Sequence, residues 1–199
     1  MTDEIVIPRI IQGEKELYAI IVRRYNQRLY RTGMSILNDD TEVEDAMQTA
    51  YINAYENLSK FEFRSAFSTW LTRIMINECL LRSKKRSKTV ELSDDKIEKE
   101  NPATIMMNNE LKILLDGAIR QLPENYRTVF VLREIENMSV ADTQECLNLT
   151  ESNVKVRLNR AKAILRDLLS AELKKEDLLS FHLSRCERMV NAVMNRILS

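Results

Sequence analysis

Ser152, Asn153, Lys155, Arg157, Asn159, Arg160 and Lys162 crowd into one short stretch of this chain. Short polar side chains beside long cationic ones suit non-covalent chemistry: hydrogen bonds to base edges in a groove, and neutralisation of phosphates alongside. Covalent catalysis would need a different constellation. The chain has a single histidine, no glycine-rich phosphate loop, and no cluster of histidine, cysteine and acid that could form a triad. His182 and Cys186 have helical spacing. A structural zinc site normally needs four ligands, however, and Cys79 and Cys146 fall in unrelated helices. The sequence therefore predicts no enzyme, no metal site and no cofactor.

The element that must position those polar residues is residues 122–166, which read as helix, tight turn, helix. Pro123 suits a helix start, where its missing N–H costs nothing. Val129, Val131, Leu132 and Ile135 supply a mostly apolar helix, and Asn137 ends it because Asn tolerates the left-handed conformation. Ser139 is expected to cap the next helix, with Asp142 near its positive end. Val140, Thr143 and Leu147 can face inward. Asn148 takes the turn and Thr150 caps the last helix. There Val154, Leu158, Ala161, Leu165 and Leu168 recur at helical spacing as one buried stripe. At about 100° per residue, Ser152, Lys155, Asn159, Lys162 and Arg166 fall opposite that stripe, with Arg157 and Arg160 on its other flank. A helix-turn-helix that lays one helix in a DNA major groove has this layout. An amphipathic helix with a solvated basic face has it too, so the layout leaves both readings open.

Composition bounds the rest. The chain has 199 residues with only 3 Gly and 3 Pro, and its hydrophobic residues recur in threes and fours. An all-α protein with short connections follows. No apolar run is long enough to span a membrane. The first residues show no basic start ahead of an apolar core, so no secretory leader and a cytoplasmic location are expected. Three unpaired-looking cysteines fit buried, reduced thiols. Lys plus Arg equal Asp plus Glu at 30 each, which argues against indiscriminate binding to nucleic acid. The charges are nevertheless segregated. Arg82, Lys84, Lys85, Arg86 and Lys88 form a basic run. Glu42, Glu44, Asp45 and Glu56 form an acidic patch.

The pattern predicts two helical domains joined by a flexible linker, plus a C-terminal helical extension. The first spans residues 13–86, with Asp39 and Glu42 at capping-box spacing. Val43, Ala46, Met47, Ala50, Tyr51, Ala54, Tyr55 and Leu58 form the apolar face of its second helix, leaving Asp45, Gln48 and Asn53 outside. A break at Ser59-Lys60 precedes an aromatic and short-polar segment, and a basic helix runs from about Phe67 to Arg86. Residues 87–106 read as linker, 107–173 as the helix-turn-helix domain, and 174–199 as an amphipathic extension. Tyr51, Tyr55, Phe67 and Trp70 are expected in the core, since large aromatics usually bury. Phe61 and Phe63 stand at a break, and their placement stays open.

Three stretches, TEVEDAMQTAYINAYENLSKFEFRSAFSTWLTRIMINECLLRSKKR, LPENYRTVFVLREIENMSVADTQECL and LTESNVKVRLNRAKAILR, together resemble bacterial sigma factors of the extracytoplasmic-function class of the sigma-70 family. The resemblance implies a chain that binds core RNA polymerase, through its β′ and β subunits, and promoter DNA. It implies that Glu44, Asp45, Gln48 and Asn53 dock on the polymerase. It implies that Lys60, Arg64, Ser65, Ser68, Arg73 and Asn77 serve the −10 element, with Lys84, Lys85 and Arg86 holding phosphates nearby. Ser152, Asn153, Lys155, Arg157 and Arg160 match the family's −35-facing helix. An anti-sigma factor that holds the two units is a further implied partner. The chain departs from the family at Leu81, Gln144 and Asn148, where members commonly carry Asp, Ala and Gly. The competing reading is a stand-alone dimeric helix-turn-helix regulator. The basic, aromatic segment at 60–86 counts against it.

Overall fold

The computed structural model describes residues 1–90, 108–172 and 189. Among these, every regular element is a helix: α1 (Asp3–Ile11), α2 (Tyr18–Ile36), α3 (Asp40–Glu56), α4 (Phe67–Val90), α5 (Asn108–Gln121), α6 (Glu124–Phe130), α7 (Val140–Leu147) and α8 (Glu151–Glu172). Short 3-10 turns at Lys15–Leu17 and Leu58–Lys60 join the early helices, and Val131–Ile135 continues α6 as a π turn.

Helices α2, α3 and α4 form the main core. Ile21, Tyr25, Leu29, Thr32 and Ile36 recur along one face of α2 and are all buried. Alanines at 46, 50 and 54 give α3 a flat inner face, and Leu71, Met75, Ile76 and Cys79 fill the space from α4. Gly33 marks where α2 runs closest to its neighbours. A Cβ there would stand 2.6 Å from Met75 Cε and 2.8 Å from Val43 Cγ1. Tyrosine hydroxyls buried in this packing find carbonyl partners. Tyr18 donates to the carbonyl of Tyr51 at 2.7 Å, and Tyr51 donates to that of Val22 at 3.1 Å.

Sequence reading missed α1. Proline inside a helix removes a ladder bond and usually argues against one, and Pro8 lies within α1. Burial of Val6, Ile7 and Ile10 offsets that cost. The Asp3 carboxylate accepts from both Arg24 and Tyr25, which ties α1 to α2. The expected linker also differs at its start, since α4 continues through Val90. The rest of 87–106, up to the start of α5, lies outside the described residues, as does nearly all of 174–199.

Helices α5 to α8 carry a smaller core of Ala118, Ile119, Leu122, Val131, Ala161 and Leu165. They also lend Leu132, Met138 and Cys146 to the core of the first group. Polar contacts line this seam. Glu136, with a side chain only 6% exposed, accepts from Arg28 and Arg31 at 3.1 Å each. Arg127 and Thr128 both donate to the carbonyl of Ser35, at 2.8 and 3.2 Å. That carbonyl lies in the last turn of α2, where intrahelical partners run out.

Candidate nucleic-acid interface

Local sequence chemistry sets the helix-turn-helix as expected. Ser139 accepts from the N–H of Asp142 at 2.9 Å and donates back to its carboxylate at 2.5 Å. Asn137 and Asn148 adopt left-handed conformations, with φ of 53° and 51°. Thr150 Oγ1 accepts from the N–H of Asn153 at 3.3 Å, starting α8. Val154, Ala161 and Leu165 are buried, and Leu158 and Leu168 half-buried, so the predicted stripe faces inward.

The opposite face of α8 presents Ser152, Asn153, Lys155, Asn159, Arg160 and Lys162, all exposed, with Arg157 half-buried. Several of these cations are tethered. Lys155 pairs with Glu151 at 2.6 Å, Lys162 with Glu134 at 2.9 Å, and Arg160 donates to the Tyr126 hydroxyl at 3.1 Å. Surface pairs of this kind are weak and exchange readily for phosphate. Val156, 46% exposed, sits among them. An apolar side chain there suits a thymine methyl group. Sequence reading passed over Val156 because it looked for polar groups.

On α3, Glu44, Asp45 and Gln48 share an exposed stripe that carries two acids, and Asn53 is half-buried to one side of it. Ile52, 58% exposed, lies on the same stripe, one to two turns past Gln48. Behind it Arg82 turns inward, bonding Glu78 at 2.8 Å and Thr49 Oγ1 at 3.1 Å, with Glu42 at 3.6 Å. One member of the basic run is thus a brace between α3 and α4.

Along α4, Arg73 and Asn77 are exposed on one face, and Leu81 follows a turn later, 56% exposed. Lys84, Lys85 and Arg86 continue the exposed surface toward the end of the helix. Ser65 and Ser68 are half-buried at its start. Lys60 donates to Asn57 Oδ1 at 2.8 Å, and Arg64 pairs with Glu62 at 2.7 Å. Arg73 reaches across the seam to Glu145 on α7 at 2.9 Å. Beside it Thr69 Oγ1 donates to Asp142 at 3.2 Å. Cys146 Sγ lies 3.6 Å from the Thr69 carbonyl. Burial pushes the Cys146 thiol up to about 12, and likewise that of Cys79.

The aromatic residues of α3, α4 and the turn between them divide. Tyr51, Phe61 and Phe67 are buried, while Tyr55 and Trp70 pack against the core from its edge. Phe61 contacts Phe67 and Trp70 with centroids 5.2 and 5.3 Å away. Phe63 is different. It is 46% exposed and has φ of 56°. A left-handed backbone costs an L-residue about 1–2 kcal/mol, and a bulky residue there is a genuine outlier.

Known proteins share the two units that carry these surfaces. The Sigma-70 region 2 model matches residues 21–89, and the Sigma-70, region 4 model matches residues 112–165. The ECF RNA polymerase sigma factor SigW of Bacillus subtilis (strain 168) is 31% identical over 176 residues, covering 82% of this chain and 94% of that protein. The ECF RNA polymerase sigma-E factor of Escherichia coli (strain K12) is 29% identical over 175 residues, covering 81% and 91%. Among solved structures, CnrH in complex with the cytosolic domain of CnrY aligns with a TM-score of 0.60 at 25% identity, covering 85% of this chain and 97% of that one. RpoE from Bartonella quintana, in complex with the anti-sigma factor NepR, aligns at 0.66 with 23% identity, covering 77% and 96%.

Proposed function

This chain belongs to the extracytoplasmic-function class of the sigma-70 family, and from that premise we propose how its surfaces divide the work. It is a transcription initiation factor that binds RNA polymerase and directs it to promoters, not an enzyme. The stand-alone regulator is not favoured: a chain that read DNA alone would have no use for a region 2 unit.

The observation that carries the assignment of roles is the capped helix α8, with its polar and basic face turned outward. In this reading α8 enters the major groove at the −35 element. Ser152, Asn153 and Asn159 stand within reach of base edges, and Lys155, Arg157, Arg160 and Lys162 hold phosphates. The α3 stripe of Glu44, Asp45 and Gln48, with Asn53 beside it, docks on the β′ subunit, where complementary charge sets orientation and on-rate. The second unit meets the β subunit. Lys60, Arg64, Ser65, Ser68, Arg73 and Asn77 serve the −10 element, and Lys84, Lys85 and Arg86 hold its backbone. Residues 13–90, 91–106, 107–173 and 174–199 are the units of this scheme, the first extended from 86 because α4 runs through Val90.

RpoE was solved with the anti-sigma factor NepR bound, and CnrH with the cytosolic domain of CnrY. A regulator of the anti-sigma class is the corresponding partner here, and the seam between the two units is where it would act. Among the described residues no helix is long and apolar enough to cross a membrane, which fits work on polymerase in the cytoplasm.

The test is transcription by core bacterial RNA polymerase on a library of genomic promoter fragments, with and without the purified chain. Sequence-selected transcripts that require the chain are expected. Tight duplex binding by the chain alone, with no stimulated transcription, would overturn the reading. Asp45→Arg reverses a charge at an exposed position, and is expected to weaken polymerase affinity on the order of tenfold or more with the fold intact. Unchanged affinity, measured by fluorescence anisotropy, removes the α3 docking assignment.

A further inference from the structure

Helix α2 carries four arginines, Arg23, Arg24, Arg28 and Arg31, and no acid, in a chain whose charges balance. At about 100° per residue, Arg24, Arg28 and Arg31 fall within about 60° of one another, on one flank of the buried row. Like charges so placed disfavour their own helix, and carboxylates from other elements offset them. Asp3 accepts from Arg24. The other two arginines are paired from across the seam. Glu136 gives Oε2 to Arg28 and Oε1 to Arg31, and its carbonyl accepts a second bond from Arg28. The pattern repeats on α4, where Arg73 holds Glu145 and Thr69 donates to Asp142. In each of these pairs the donor belongs to the first unit and the acid to the second. The arginines of α2 and α4 also converge on one place. Burial dominates the Cys146 thiol and raises it, while the charges of Arg73 and Arg28 both pull it the other way.

A nearly buried carboxylate shared by two arginines is a poor way merely to join two surfaces, because desolvation of the ions offsets most of their attraction. It suits an anion that is exchanged. A phosphodiester likewise offers two equivalent anionic oxygens, and the guanidinium fork matches them. We infer that Arg28 and Arg31 are a further backbone-binding site for promoter DNA, continuous with Arg73, and that Glu136 and Glu145 occupy it in place of phosphates while the seam is closed. The inference rests on the initiation-factor reading and adds residues to it. Contacts to phosphate position a protein on DNA and carry no sequence information. The site therefore adds affinity evenly, and DNA takes these arginines only as the seam opens.

The two sides of the pair give the test its sign. Glu136→Gln and the double variant Arg28→Gln, Arg31→Gln both remove the ion pairs that close the seam, but only the second also removes the site. The experiment uses holoenzyme assembled from core polymerase and the full chain. Affinity is measured at several salt concentrations for a promoter fragment that the wild-type holoenzyme transcribes. Glu136→Gln is expected to bind it severalfold more tightly, since more molecules are open beforehand. The double glutamine variant is expected to bind on the order of tenfold more weakly, evenly across promoter sequences. The slope of its log affinity against log salt should be shallower by roughly one to two. Arg28→Lys with Arg31→Lys keeps both charges and is expected to keep most of that slope. Affinity for core polymerase is expected to stay as in wild type in all three.

A double glutamine variant that binds promoters more tightly, as Glu136→Gln does, or that keeps the wild-type salt slope, reduces these pairs to seam contacts and ends the inference. A loss of core-polymerase affinity in that variant ends it too, by making the arginine face a protein contact. Glu136→Gln binding no more tightly than wild type removes the carboxylate from the site. Each of these results leaves the initiation-factor reading standing. A wild-type chain that supports no promoter-directed transcription would instead sink that reading.

Discussion

The two halves of this molecule are built on different physical terms. Helices α1 to α4 close on a continuous core with aromatic contacts, tyrosine hydroxyls satisfied on carbonyls, and a helix crossing so close that only Gly33 fits. Helices α5 to α8 have a smaller core, and place Leu132, Met138 and Cys146 in the core of their neighbour. Polar contacts add to that hold: Glu136 on two arginines, Arg127 and Thr128 on one carbonyl, Arg73 on Glu145 and Thr69 on Asp142. Apolar packing in a domain core comes apart only as a whole, whereas a seam of ion pairs and a few borrowed side chains can open locally. One half is thus a platform, and the other is a reader set on it.

The contrast can be broken most forcefully at Leu71. Leu71→Ala empties a fully buried position and is expected to cost about 3 kcal/mol, at the lower to middle part of the usual range. Because the reader rests on the platform, urea unfolding should show both halves lost together. Leu165→Ala, in the small core, is expected to cost about 2 kcal/mol or more and to separate the transitions, with α5 to α8 melting first. A single coincident transition in that variant would show that the halves are one cooperative unit.

Gly33→Ala comes next. The new methyl group meets both Met75 Cε, which can swing away, and Val43 Cγ1, which is stiff. Overpacking of about 1–3 kcal/mol is expected, read as a lowered thermal midpoint. No change would mean that the crossing is looser than its geometry.

Glu136→Gln tests the seam itself. It removes one charge facing Arg28 and Arg31. In a chain carrying Cys186→Ser, labelling of Cys146 by a thiol reagent at pH 8 should speed up severalfold, while labelling of Cys79 in the platform should not. Both thiols are held near 12 by burial, against an ordinary value of 9.0, so each reacts only through opening. The same shifts have a sign in stability. The buried thiols keep their protons while the unfolded chain loses them. Their contribution is intact below about pH 9 and falls away as pH rises toward 12.

Lys155→Ala should disturb folding least, since its pair with Glu151 is fully at the surface. It sharpens the role of the reader instead. A loss of about 1–3 kcal/mol confined to one base pair of the −35 element assigns Lys155 to a base edge. An even loss across sequences, with a shallower salt dependence, assigns it to phosphate. Binding of promoter variants by the holoenzyme at several salt concentrations distinguishes the two.

What the sequence disclosed was local. Asp39, Ser139 and Thr150 act as caps, and Asn137 and Asn148 as left-handed stops, because each effect depends on a few neighbouring residues. The inward stripe of α8 was equally legible from its period. The seam was not. Arg28 and Glu136 are far apart in the chain, and nothing in either one's neighbours announces the other. Arg82 read as part of a basic run, yet three acidic or hydroxyl partners on α3 and α4 draw it inward. Helix α1 was hidden by Pro8, whose local cost is offset by tertiary burial. Phe63 could be placed at a break, but the sign of its φ depends on how the turn meets the cluster behind it.

Arg73 leaves one more consequence. It holds Glu145 across the seam, and its proposed contact with DNA has to displace that carboxylate. Every promoter faces the same prior equilibrium. Apparent affinity is scaled by the fraction of molecules already open, whatever the sequence. Affinities for strong and weak promoters then fall by the same factor, leaving their ratio unchanged. On the proposed assignment of Arg73, the seam sets total output and leaves the choice of genes untouched.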